Sequence, residues 1–152
     1  MYQIVDATEK DYIEVNRLVR QGQDDHVAGD DSVFKSIDFV MPKDYYMELL
    51  EQSDSKIFIA KADRIVGFAL ITIEAAPHFP SLVEQNYAYI HDFGVDRSVK
   101  RKGIGSLLFE ACKKRTGRNN KTSVKLNLTY GNSTKKLLSF MKSKTRKWLV
   151  ER

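Results

Sequence analysis

The chain has 152 residues, 42% of them hydrophobic, 11% aromatic and 30% charged, which fits one domain, 1–152, with a core of its own and excludes disordered or collagen-like chains. Twenty-five basic against twenty acidic residues leave a net charge of +5, which invites an anionic partner, and the single cysteine, Cys112, excludes an internal disulfide and suits a reducing compartment. No apolar run has the length of a membrane span, and the first residues, MYQIVDATEKD, lack the basic-then-apolar pattern of a leader, so a cytoplasmic protein without a membrane partner is expected.

In chain order, Tyr2 to Val5 reads as a first strand. Thr8-Glu9-Lys10-Asp11 is a helix start, a capping hydroxyl with an acid three residues on, and Tyr12, Val15, Leu18 and Val19 come next at helical spacing. Residues 22–40 read as less regular, with Gly22, Gly29 and many polar groups. Pro42 suits the first turn of a second helix, whose apolar face is Tyr45, Tyr46, Leu49 and Leu50. Ile57 to Ala60 and Ile65 to Ile73 are strands joined by a turn at Ala62-Asp63-Arg64, the second apolar enough to be buried on both faces. Tyr87 to Val95 is a fourth strand. A helix from Gly103 to Arg115 carries a stripe of Ile104, Leu107, Leu108 and Ala111, with Gly117 placed to stop it. Val124, Leu126 and Leu128 alternate as a fifth strand, Asn132 caps a last helix with Leu137, Leu138 and Met141, and residues 144–152 form a last strand. The expected fold class is therefore α/β, a mixed sheet flanked by helices.

The segment from Ile90 to Gly105 carries the chemistry. A strand leads through a basic turn, with glycines at 103 and 105, into a helix. The first turn of a helix presents unpaired N–H groups and a positive dipole end, and both favour an anion. Gly103 and Gly105 let a ligand approach the backbone, while Arg97, Lys100, Arg101 and Lys102 add positive charge around the mouth. A phosphate or pyrophosphate is the natural guest. The ATP-binding pattern G-x-x-x-x-G-K-[ST] is absent, and the dinucleotide pattern G-x-G-x-x-G fails because Leu108 stands in place of its third glycine.

The run VDRSVKRKGIGSLLFEAC resembles the acyl-coenzyme A motif, [QR]-x-x-G-x-[GA], of the GNAT superfamily of N-acetyltransferases, with Lys100 in the Arg/Gln place. The element order from Tyr2 to about Met141 is similar to that family as well. The resemblance implies a central, mostly antiparallel mixed sheet splayed between its fourth and fifth strands, with acetyl-coenzyme A wedged into the opening. It implies a pyrophosphate held by Lys100, Arg101, Lys102, Gly103, Ile104, Gly105 and Ser106, a pantetheine arm paired with Phe93, Gly94 and Val95, and a cofactor contact at Asn132. It further implies direct acetyl transfer to a primary amine of a small molecule or peptide, with no metal and with a homodimer as one arrangement.

An ammonium must lose a proton before it attacks, and the departing thiolate needs one. Simple alternation on the fourth strand places Tyr87, Tyr89, His91, Phe93 and Val95 on one face and Ala88, Ile90, Asp92 and Gly94 on the other, unless a bulge rotates Asp92. His91 is the candidate base and Tyr89 a candidate relay, with Asp92 and Glu74 as rivals. The family pattern N-x-x-A-x-x-[FY]-Y on the last helix is matched only at Asn132 and yields no tyrosine, so Tyr130 or a water serves as the acid, or the thiolate leaves unassisted. That departure leaves open a catalytically weak or inactive acyl-coenzyme A-binding regulatory domain. A nucleic-acid partner is not expected, because no recognition-helix pattern or interleaved aromatics accompany the basic charge. Asp24, Asp25, Asp30 and Asp31 offer an acceptor site for a cationic amine, Phe34, Phe39, Tyr45 and Tyr46 are candidates to wall it, and Cys112 reads as packing.

Overall fold

The structure is a computed structural model that describes residues 1–29, 32, 35–75, 79–81, 86–99, 101–116, 123–127 and 149–151. Its strands and helices are β1 (Gln3–Asp6), α1 (Tyr12–Gly29), α2 (Lys43–Glu51), β2 (Ser55–Lys61), β3 (Ile65–Ala75), β4 (Asn86–Val95), α3 (Ile104–Thr116), β5 (Ser123–Asn127) and β6 (Leu149–Glu151). The strands lie in sequence order in one sheet. The pairings β1–β2, β2–β3 and β3–β4 are antiparallel, while β4–β5 and β5–β6 are parallel. The sheet is thus mixed and mostly antiparallel, as expected. The last helix expected after Asn132 lies outside the described residues.

Local chemistry sets the start of α1. The Asp11 carboxylate accepts the Thr8 N–H at 2.8 Å and the Thr8 hydroxyl at 2.9 Å, which closes the expected cap around a short 3-10 turn at Glu9–Asp11. The helix then runs further than its sequence predicts, through Gly22 to Gly29. Tertiary ties override the glycine there: Arg97 donates to the Asp25 carboxylate at 2.6 Å and to the Gln21 carbonyl at 3.3 Å. Pro42 precedes α2 as its cap residue instead of entering the first turn. The turn between β2 and β3 closes as expected, with Ala62 N–H donating to the Arg64 carbonyl at 3.1 Å.

The sheet is packed on both faces. On one, α3 lays Ile104, Leu108, Phe109 and Cys112 against Val66, Ala69, Ile71, Ala88 and Ile90. Leu107, expected in that stripe, is 44% exposed, so the buried face of the helix is turned toward Phe109 and Cys112. On the other face α1 and α2 bring Val15, Leu18, Tyr46 and Leu49 over Ile57, Ile59, Phe68 and Leu70. β3 contributes side chains to both layers, which accounts for its nearly unbroken apolar sequence.

Candidate acetyl-transfer site

Pairing of β4 with β5 runs from Tyr87↔Ser123 to Ile90↔Leu126 and no further among the described residues. β4 itself continues to Val95 and stays paired with β3 up to Gly67↔Val95. Among the described residues, the five residues of β4 from His91 to Val95 therefore have no partner on the β5 side. Within those residues this matches the expected splay between the fourth and fifth strands, and an extended chain can add to such an edge as a strand does.

The strand ends in a turn that leads into α3. A 3-10 turn at Arg97–Val99 leads to Arg101 with φ +67 and Gly103 with φ +81. A Cβ placed on Gly103 would meet nothing within 4 Å, so the glycine faces open space in a left-handed conformation that only glycine adopts freely. Leu107 N–H donates to the Gly103 carbonyl at 3.1 Å, the first bond of α3. The N–H groups of Ile104, Gly105 and Ser106 precede that bond and have no acceptor within the helix. Arg101 and Lys102 are exposed beside them. Free N–H groups, an open glycine and two cations fit a diphosphate. Lys100, Tyr130 and Asn132 lie outside the described residues.

Arg97 does not join that mouth. Its guanidinium is taken by Asp25 and by the Gln21 carbonyl, and its N–H donates to the Gln21 side chain at 3.3 Å. The acidic stretch is likewise committed internally: besides Asp25, Asp24 accepts the Ser36 hydroxyl at 2.7 Å and lies 3.9 Å from Arg20. Asp30, Asp31 and Phe34 lie outside the described residues. Tyr46 is core, its hydroxyl bonded to the Thr8 carbonyl, while Tyr45 is exposed. Phe39 lines a groove of about 440 Å³ with Tyr12, Ile13 and Pro42, to which β4 contributes nothing. Cys112 is buried and its thiol is pushed up to about 12 by burial, so it packs, as expected.

A β-bulge overturns the simple alternation on β4. Ile71 pairs with Ile90 and Leu70 with Asp92, so His91 is the extra residue. Beyond it the faces exchange. Phe93 and Val95 turn toward the α3 layer, with Ala88 and Ile90, whereas Asp92 and Gly94 turn toward the α1–α2 layer, with Tyr89. His91 leaves the face shared with Phe93 and Val95, and its Nε2 lies 2.7 Å from the Thr72 hydroxyl, the Tyr89 ring 6.2 Å away between centroids. The bulge thus gathers Tyr89, His91 and Asp92 on one side of the sheet. Burial lowers the His91 pKa against a smaller opposing pull from Glu74, which keeps the imidazole neutral at pH 7. Burial raises the Asp92 carboxyl to about 6, although the Phe93 N–H donates to it at 2.9 Å. Two proton acceptors, one with a lowered and one with a raised pKa, now lie on the same side of the sheet.

One further residue escaped the sequence reading. Asp96 is buried at the end of β4, where its carboxylate accepts from Arg17 at 2.8 Å, from the Ser98 N–H at 3.0 Å and from the Ser98 hydroxyl at 2.9 Å. A lone aspartate before an arginine gives no local signal of a buried role, because its partner Arg17 is 79 residues away.

The model of the Acetyltransferase (GNAT) family matches residues 26–135, more than half of the chain. The chain belongs to the GNAT acetyltransferase family. No curated protein matches this GNAT chain. Among solved structures it is similar to a tetramutant of the BH1408 protein from Bacillus halodurans, with 23% identity, 99% of this chain and 98% of that chain covered, and a TM-score of 0.83. It is similar to a possible acetyltransferase from Clostridium difficile 630 at 18% identity, with 100% and 95% covered and a TM-score of 0.74. An aminoglycoside acetyltransferase from an uncultured soil metagenomic sample, in complex with sisomicin, is 21% identical over 99% and 93% of the two chains, with a TM-score of 0.65. At these identities the likeness is one of fold. No helix among the described residues is long and apolar enough to cross a membrane.

Proposed function

We propose that this GNAT protein moves an acetyl group from acetyl-coenzyme A to the primary amine of a small molecule or peptide by direct attack. The observation that carries the reading is the coincidence of two features: a strand edge from His91 to Val95 without a partner among the described residues, and a glycine helix start at Gly103 a few residues on. A diphosphate on the N–H groups of residues 101–106 leaves its pantetheine arm to run along Phe93, Gly94 and Val95. The Phe93 N–H is already engaged by the Asp92 carboxylate, and the Gly94 N–H faces β3, so Val95 is the better placed to supply a donor to the thioester carbonyl.

His91 accepts the proton of the incoming ammonium, directly or through a water that Tyr89 helps to hold. The free amine then forms the C–N bond, the C–S bond breaks, and the sulfur leaves as a thiolate that takes a proton from Tyr130 or from water, which is made good by the proton the new amide nitrogen sheds. A second reading gives the base role to Asp92, favoured by the bulge that turns it to the His91 side and by its raised pKa. With Asp24 and Asp25 committed internally, Glu74 and Asp92 are carboxylates near His91, among the described residues, that can meet a cationic acceptor. The single buried thiol suits a cytoplasmic setting.

The test is a panel of amines, aminoglycosides and N-terminal peptides included, assayed for free thiol released from acetyl-coenzyme A. Turnover of at least one amine by the wild type, and loss of coenzyme A binding in Gly103→Glu, are expected. Coenzyme A binding without turnover of any amine would favour the regulatory reading, and a folded Gly103→Glu protein with unchanged affinity would defeat the site itself.

A further inference from the structure

We propose that Asp96 is a positioning residue for the diphosphate turn: its carboxylate holds the chain leaving β4 so that the start of α3 faces the anion, without touching the ligand. The inference rests on the cofactor reading proposed for this chain. Its grounds are geometric. The Asp96 side chain is 5% exposed. One of its oxygens accepts from both Ser98 donors, at 3.0 and 2.9 Å, and the other accepts from Arg17 at 2.8 Å, with Arg64 3.7 Å away. Arg64 also donates to the Ser98 hydroxyl at 2.8 Å, and Arg17 donates to the Ile65 carbonyl at 3.0 Å. The backbone repeats the attachment: Asp96 N–H donates to the Val66 carbonyl at 2.8 Å and Val99 N–H donates to the Asp96 carbonyl at 3.1 Å. One residue is thus tied to α1, to the start of β3 and to the 3-10 turn just beyond it.

The backbone between Asp96 and α3 shows why such an anchor is needed. Arg101 and Gly103 both hold a positive φ, +67 and +81, within three residues. Glycine takes that conformation freely, but a non-glycine residue such as Arg101 keeps it only where the structure around it holds the chain. The far end is fixed by Ile104 and Leu108, buried in the α3 layer. The near end is fixed by Asp96. Charge is accommodated as well. A carboxylate so near a diphosphate would repel it, but two guanidiniums face this one, and despite the cost of its burial the Ser98 and Arg17 donors hold it ionised far below the usual carboxylate range.

The test compares two donors that share a thioester and differ in the diphosphate: acetyl-coenzyme A and acetyl-pantetheine. In Asp96→Asn the amide nitrogen faces Arg17 and the ion pair is lost, and the KM for acetyl-coenzyme A should rise about tenfold. Its kcat/KM with acetyl-pantetheine should stay within about twofold of wild type, because that donor never meets the turn. Ser98→Ala, at an exposed position, removes one of the bonds to Asp96 together with the bond from Arg64; it should show the same selectivity at roughly threefold, and it decides the matter if Asp96→Asn does not fold. Equal loss with both donors would reduce Asp96 to a merely structural role, and no loss with acetyl-coenzyme A would also overturn the proposal. A wild type that turns over neither donor contradicts the proposed function itself, and this inference with it.

Discussion

Glycine at position 103 has two separable reasons, and substitution by alanine and by asparagine tells them apart. With φ at +81, any L side chain there is strained, and nothing within 4 Å would obstruct it. Gly103→Ala should therefore lose about 1 kcal/mol to the left-handed conformation alone. For a chain of this size that is a fall in Tm of about 2–4 °C. Asparagine tolerates the same conformation, so Gly103→Asn should lose less than half as much. If strain were the whole reason for the glycine, asparagine would also restore ligand binding. If the diphosphate comes up against the bare backbone, it cannot, because both side chains project into the space the ligand needs. Losing one charge-assisted hydrogen bond weakens binding by about 1.5–3 kcal/mol, tenfold or more in Kd. Isothermal calorimetry with coenzyme A, beside thermal unfolding of each variant, reads both quantities. A Gly103→Asn protein that binds coenzyme A with the wild-type Kd would refute the placement of the diphosphate at the start of α3.

Three other outcomes are expected. A Cβ at Gly67 would lie 2.9 Å from Leu108 Cδ1 and 3.2 Å from both the Gly94 carbonyl and Ile104 Cγ2, so Gly67→Ala should destabilise by about 1–3 kcal/mol, and a Tm unchanged within about 1 °C would contradict that packing. Asp92 gives a pH signature. Below about 3.8 its carboxyl is protonated in both the folded and unfolded chain; between there and about 6 only the unfolded chain releases the proton, so the native state loses stability as pH rises, by up to about 3 kcal/mol in all. Asp92→Asn should therefore be more stable than wild type at pH 8 and equal to it at pH 3.5 by urea unfolding, and an advantage equal at both pH values would dismiss the raised pKa. For His91, the acetylation rate should climb with pH through a midpoint below 6.5 and then level off, while His91→Ala loses rate and keeps coenzyme A affinity within about twofold; an unaltered pH–rate profile in the variant would pass the base role to Asp92.

What the sequence made legible was local. The cap at Thr8 and Asp11, the turn at residues 62–64 and the step from strand through basic turn to glycine helix start all depend on neighbours within a few residues, and their patterns translate directly into structure. What it concealed depended on distant partners. The extra residue at His91 exists only relative to β3, since a bulge is a mismatch between two strands, and no period within 86–95 announces it. The length of α1 beyond Gly22 rests on Arg97, seventy-two residues from Asp25. The turn of α3 that buries Phe109 and Cys112 in place of Leu107 is set by where the sheet meets the helix, and two apolar stripes on one helix cannot be ranked from the helix alone. The strand, basic turn and glycine helix start were therefore readable, while the bulge that groups His91 with Asp92 was not.

The extra residue in β4 gives this strand an unusual tolerance of one lost position. Deleting His91 would restore regular pairing with β3 and invert nothing, because Ile90, Asp92, Phe93, Gly94 and Val95 would each keep their present partner there. Phe93 and Val95 would stay in the oily layer beneath α3, and Asp92 would stay on the opposite side. A single codon lost there would therefore remove the imidazole and spare the layer that supports it.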